Sequence, residues 1–425
     1  MQGFIVQIVI VLLLMGCPPV SAAIADADTD DGYTNAQCVE CHEAMAEDHA
    51  ASTHSDTECL ACHPQAAEEA HEELPLPAVD CRQCHTPHDE KVAHDAHTRV
   101  ACQACHQQDG VALADPGSGQ VVFSGETLPG RSLSPHQMVV QTGEARCHRC
   151  HFQGNSLGAA AMILPPKSIL CMACHVATFS IGDRTTLFAL LIFTVGMGGL
   201  GAVWFSGGRT RPSGHRLPGG LAPYVVAFVD DVLFIKKLYR LSPDRWVIHA
   251  LIYYPILMRL TFGMLALSLS LMLPDMELTR AMLDKNHPAR ALFFDVTGLM
   301  ILTGVCAALL RPQEDRPAVS DLPVPGRGMT MLLGLIVVVG FILEGLRIAM
   351  TGWPVGAPYA IIGYGLSLML KGMTGLTTIY GYVWYAHAVL TGVFVALIPF
   401  TRMIHMLTAP LVLMAEARSQ IQANH

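Results

Sequence analysis

The sequence predicts an all-α membrane protein: a five-helix transmembrane bundle preceded by a loop-rich domain with short helices. Three features of the chain say so. Of its 425 residues 52% are hydrophobic and only 14% are charged, a balance too apolar for an ordinary soluble protein. Beyond residue 185 lie five apolar stretches of about twenty residues, each long enough at 1.5 Å rise per residue to cross ~30 Å of hydrocarbon. Between residues 38 and 174 lie twelve of the 14 cysteines, as six Cys-x-x-Cys pairs each followed at once by histidine.

Charge divides the chain at the same place. Residues 24-184 carry 8 Lys/Arg and 23 Asp/Glu, net −15, and the remainder is net +6. A soluble enzyme is excluded, and so is a nucleic-acid binder, since no exposed basic surface is left to neutralise phosphates. The acidic half instead suits a redox protein with a basic face.

Residues 4-15, FIVQIVIVLLLM, form an apolar run of signal-peptide length. Two candidate cleavage sites follow, the lipoprotein-like Leu14-Met15-Gly16-Cys17 and Val20-Ser21-Ala22-Ala23. Residues 1-23 are therefore read as a signal peptide or lipoprotein signal, with an uncleaved anchor as the remaining option. Every version exports residues 24-184.

The six motifs are Cys38-Val-Glu-Cys41-His42, Cys59-Leu-Ala-Cys62-His63, Cys81-Arg-Gln-Cys84-His85, Cys102-Gln-Ala-Cys105-His106, Cys147-His-Arg-Cys150-His151 and Cys171-Met-Ala-Cys174-His175. Cys-x-x-Cys-His is the attachment sequence of c-type haem: two thiols bond the porphyrin and the adjacent imidazole is carried to the iron. Disulfides, zinc knuckles and thioredoxin-type pairs do not require the histidine. With 20 histidines in the chain, six such placements by chance have odds of roughly one in 10⁷ to 10⁸. The motif starts recur every 21, 22 and 21 residues, then after 45 and 24, an internal repeat in which each unit contributes a haem. From Cys38 to His175 there are 23 residues per motif, too few for separate apolar cores, so the porphyrins must themselves be the core.

Axial ligands can be counted too. Outside the motifs this half holds His49, His54, His71, His88, His94, His97, His136 and His148. His148, inside a motif, is the least free to reach another haem, which leaves seven candidates for six distal positions; Met45, Met138, Met162 and Met172 rank below them. His54 and His97 each stand five residues before a motif cysteine, a position suited to ligating a neighbouring haem. Iron with two histidine ligands carries electrons and has no site for a small substrate.

The five spans fall near 186-205, 247-273, 291-310, 329-350 and 379-403. With residue 184 outside, the segments predicted inside hold 12 Lys/Arg and those outside hold four, Arg280, Lys285, Arg290 and Lys371, in accord with the positive-inside rule. The expected location is a bacterial inner membrane, multi-pass, with residues 24-184 in the periplasm, the bundle over 185-415 and a cytoplasmic tail over 416-425.

Within the spans, His387 and His405 are 18 residues apart, five whole turns and ~27 Å of rise on a continuous helix. They are expected on one face at opposite depths. His249, at the start of the antiparallel second span, matches His405 in depth, so the two can clamp a b-type haem. Arg259, about ten residues into that span, costs roughly 2.5 to 3.5 kcal/mol to insert and calls for a carboxylate: a haem propionate or a quinone-site acid. Glu344 and Arg347, three apart, can pair with each other.

The stretch Tyr385-Ala-His387-Ala-Val-Leu-Thr-Gly-Val-Phe-Val-Ala-Leu-Ile-Pro399-Phe400-Thr-Arg402-Met-Ile-His405-Met-Leu-Thr-Ala-Pro410 resembles the last helix of the respiratory nitrate reductase gamma subunit family. Membrane cytochromes b of sulfite-reduction and heterodisulfide-reductase complexes are similar. The resemblance covers about residues 185-415 and implies a five-helix cytochrome b exchanging electrons with menaquinone or ubiquinone. In that family two histidines of the second helix pair with two of the fifth to hold two haems b. His249 matches one of them, with His405 as its partner. The other position is Arg259, in Met258-Arg259-Leu-Thr-Phe-Gly263, which leaves His387 to find a partner in Met258, in His287 or nowhere. The first half resembles multihaem cytochromes c of anaerobic respiration.

The expected cofactors are six covalent haems c and one haem b, or two if His387 finds a partner. The expected function is electron transfer between the quinone pool and a periplasmic redox protein, with a quinone pocket beside Arg259 or His387. Two alternatives stand beside it: a quinone-independent conduit to a cytoplasmic or membrane iron-sulfur subunit docked on the basic 206-246 loop, and a terminal multihaem reductase with one open haem.

Overall fold

The computed structural model describes residues 35-63, 100-107, 111-114, 121-124, 144-177, 179-181, 183-206, 222-274, 276-311 and 327-423, with Cys81, His85, His97 and Met138 singly. The segment read as a signal, Cys84, His71, His88, His94, His136 and the basic residues Arg209, Arg211, Arg216 and Arg316 lie outside the described residues.

The first half is built of short pieces. Helices α1 (Asn35–Cys41), α2 (Glu43–Ala50), α3 (Cys59–Cys62), α4 (Cys102–His106) and α5 (Glu144–Cys147) span one or two turns each. A 3₁₀ turn follows over Ile169–Ala173. One departure from an all-helical chain is a small antiparallel hairpin, β1 (Val111–Ala114) against β2 (Val121–Ser124), with Val111 opposite Ser124. Its β-branched residues favour a pleated pairing.

Five helices are long and apolar enough to cross a membrane: α6 (Arg184–Ser206), then, after short helices α7 (Ala222–Ala227) and α8 (Lys236–Leu241), α9 (Pro243–Met272). After α10 (Glu277–Leu283) come α11 (Pro288–Leu310), α12 (Arg327–Met350), the short α13 (Ile361–Met369) and α14 (Leu376–Leu397). Proline opens α9 and α11, where a missing N–H costs nothing. Each observed helix lies within a few residues of the stretch expected for it.

The expected continuous fifth span is interrupted. α14 stops at Leu397, a 3₁₀ turn covers Ile398–Phe400, and Thr401 is extended at φ −125°, ψ 172°. A second 3₁₀ turn leads into α15 (His405–Ala423). Pro399 has no N–H for a helical ladder, and the Thr401 hydroxyl accepts from the Met403 N–H at 3.4 Å. His387 and His405 therefore sit on different helices, and the shared-face expectation fails even though, as shown below, His405 still meets His249.

The bundle has two distinct ends. At one, residues 155-180 pack into it: Ala161 N–H donates to the Thr377 carbonyl at 3.0 Å, and Ser168 and Thr186 hydroxyls are 3.0 Å apart. Val176 joins Ala266, Leu269 and Met282 in one buried cluster, and Met172 and Ala177 join Leu267 in another. At the opposite end α15 packs against α7 and the π-helical turn Phe228–Leu233. There Arg311 pairs with Asp244 at 2.5 Å.

Candidate metal centres

A Cys-x-x-Cys-His run on one helical turn puts residues i, i+3 and i+4 on the same side. The backbone does this repeatedly. The motif histidine's N–H donates to the carbonyl of the first cysteine in His42 to Cys38 (3.0 Å), His63 to Cys59 (2.9 Å), His85 to Cys81 (2.9 Å), His151 to Cys147 (2.9 Å) and His175 to Cys171 (2.8 Å). His106 closes α4, which begins at Cys102. Cys38, Cys41, Cys59, Cys62, Cys81, Cys102, Cys105, Cys147, Cys150, Cys171 and Cys174 are all unbridged.

Neighbouring motifs are tied together. Cys59 N–H donates to Asn35 Oδ1 at 2.9 Å. Arg146 and Arg149 of the fifth motif both donate to the Gln107 carbonyl after the fourth, at 2.5 and 2.9 Å. Burial pushes the Cys105 and Cys150 thiols up, Arg149 pulling weakly against it.

Four pairs of imidazoles from distant parts of the chain come together, edge-on or tilted. Ring centres are 5.7 Å apart for His54 and His85, 6.3 Å for His97 and His151, 6.1 Å for His175 and His387 and 6.4 Å for His249 and His405. Two imidazoles on opposite faces of one metal, each nitrogen about 2 Å from it, have centres about 6 Å apart. In the first pair the Nε2 atoms stand 3.4 Å apart, so seating a metal there asks for about half an ångström of spreading.

His54 stands before the second motif and faces the third, and His97 stands before the fourth and faces the fifth. Both therefore reach past the adjacent motif. His148 is engaged locally, its Nδ1 3.2 Å from the His151 carbonyl. His151 Nδ1 lies 2.8 Å from the Ala160 carbonyl and His405 Nδ1 2.9 Å from the Arg402 carbonyl. That contact fixes the Nδ1–H tautomer and leaves Nε2 with its lone pair for a ligand. His249 Nδ1 and His387 Nδ1 are buried with no hydrogen-bond partner, an unfavourable state for a polar atom unless a ligand completes it.

Among the described residues no three His, Cys, Asp or Glu side chains converge as a metal site. A structural zinc needs four such donors. Opposed pairs suit a metal whose other positions a macrocycle already fills, and in that sense the donor sets fit haem.

Arg259 is 8% exposed, and the protein groups that hold it are uncharged. Its Nε donates to Thr297 Oγ1 at 2.7 Å and its Nη2 to the Phe294 carbonyl, with the guanidinium 5.2 Å from the Phe294 ring centre. Helix α11 comes this close because Gly298 has no side chain: a Cβ there would lie 2.9 Å from Arg259 Nη2. Asp295, 1% exposed, is spent on α13, whose Ile362 and Gly363 N–H groups donate to it at 3.1 and 3.4 Å, a carboxylate at a helix N-terminus. Glu344 and Arg347 do approach, at 3.7 Å.

Of the two suggested partners of His387, Met258 is 42% exposed and His287 is the N-cap residue of α11. The ring that faces His387 is His175, a juxtaposition the sequence reading missed. One sequence feature bears on it: only eight residues separate His175 from Arg184, where α6 begins, which tethers the sixth motif within about 30 Å of that end of the bundle.

No protein-family model, curated protein or solved structure matches the chain.

Proposed function

We propose that the chain carries electrons between the quinone pool and a periplasmic redox partner, with one haem b between His249 and His405 and c haems attached at the six motifs. The observation that supports this best is the approach of imidazoles from distant elements at one common spacing, with no third His, Cys, Asp or Glu converging on them among the described residues. Haem, when bound, supplies one-electron carriage.

The chain's own residues do the rest. Each motif turn whose cysteines are both among the described residues sets two thiols and an imidazole on one side of the turn. Carbonyls of Ala160 and Arg402 orient the His151 and His405 rings. The half-buried His249 keeps its Nδ1 away from solvent and without a hydrogen-bond partner. The net −15 of residues 24-184 attracts a basic partner on the periplasmic side.

The test is reduction of the purified, haem-loaded chain in vesicles by a menaquinol analogue, followed in the c-haem absorption bands. Reduction that requires the quinol and is lost in His249→Ala supports the proposal. Undiminished reduction in quinone-depleted vesicles, driven by an impermeant donor on the cytoplasmic side alone, overturns it in favour of a conduit to an iron-sulfur partner.

A further inference from the structure

We infer that His387 of α14 is the distal axial ligand of the haem attached at Cys171 and Cys174, so that the sixth c haem is seated inside the helical bundle and no second haem b is bound there. The inference rests on the haem reading of the motifs and goes further, because it assigns a ligand pair across the two halves of the chain.

The His175 and His387 ring centres lie 6.1 Å apart, matching the 6.4 Å of His249 and His405. His387 Nδ1 is buried and unmatched. His175 is held where it is by backbone contact: a Cβ at Gly263 of α9 would lie 2.9 Å from the His175 carbonyl oxygen and 3.4 Å from that of Met172. Gly263 is nine residues from the end of α9, ~13 Å along its axis, so the motif is sunk well into the bundle. Phe294 stacks on the His175 ring, centres 6.1 Å apart.

Charge agrees. Arg259 and Arg290 stand 5.2 and 5.6 Å from the centre of the Phe294 ring, which stacks on His175. Positive groups beside the motif in an apolar setting suit the two propionates of a haem. Arg259 thus stands at the depth where a second-helix histidine would be needed, and the position that histidine would fill is taken by His175 from the first half of the chain.

The test uses the full-length, haem-loaded chain. In the wild type, mass spectrometry and acid–acetone extraction should give six covalent haems and one extractable haem, and electron paramagnetic resonance should show the c haems low-spin. His387→Ala should keep all six covalent haems and the extractable one but convert one of the six c haems to high-spin. His387→Met should return that haem to low-spin with a new methionine-sulfur charge-transfer band. Two extractable haems in the wild type, or loss of an extractable haem in His387→Ala with every c haem still low-spin, overturns the assignment while leaving the c-haem reading intact. The wild-type count decides the matter even if a variant fails to assemble. Absence of any covalent haem removes the underlying reading itself.

Discussion

At Gly263 one methyl group decides how close the sixth motif can lie to α9. The atoms a Cβ would strike are backbone oxygens, which cannot rotate away, so Gly263→Ala should push residues 171-176 off the helix. Overpacking of this kind costs about 1 to 3 kcal/mol, and thermal unfolding in detergent should show the loss together with a change in the spectrum of one c haem. Arg259 is the second residue on which the site depends. Thr297→Val deletes the 2.7 Å acceptor of a buried guanidinium and should destabilise by about 1 to 3 kcal/mol, measured the same way; no change would mean that the Phe294 carbonyl and ring suffice. The sequence made Arg259 conspicuous, because charge within an apolar stretch is costly. It could not name the partners, since a hydroxyl and a carbonyl on α11 carry no charge signature.

At the scale of elements, local spacing was enough for the six motif turns and the five long helices. Each depends on residues within a turn or within one apolar run, so composition and period reveal it. The break after α14 was harder to see. Pro399 alone often only kinks a helix, and the decisive feature is Thr401 turning extended and capping the next turn. The break carries His405 onto α15, and that helix's packing on α7 brings His405 to His249. Pro399→Ala with Thr401→Ala should favour a continuous helix and move His405 away, lowering the extractable haem while the covalent haems stay at six. Full retention of extractable haem would show that α15 is positioned by its packing alone.

For the whole molecule, two halves that differ in composition and charge are joined by a motif belonging to both. Sequence arithmetic separates the halves cleanly at about residue 184, and for that reason it obscures the joint: the charge of a net −15 segment does not reveal that its last histidine packs against a helix two hundred residues later, and only the short tether to α6 bears on it. The charge separation has its own consequence. Reduction or oxidation by a soluble basic redox protein should slow about tenfold or more as ionic strength rises from about 0.01 to 0.15 M, because surface steering is screened over that range. A salt-independent rate would place the partner elsewhere. The most direct measurement of all is the haem inventory of the mature polypeptide, by intact mass and solvent extraction on one preparation. Six covalently added tetrapyrroles with a single extractable haem is the expected result; a polypeptide mass with no added tetrapyrrole would contradict the proposed function outright.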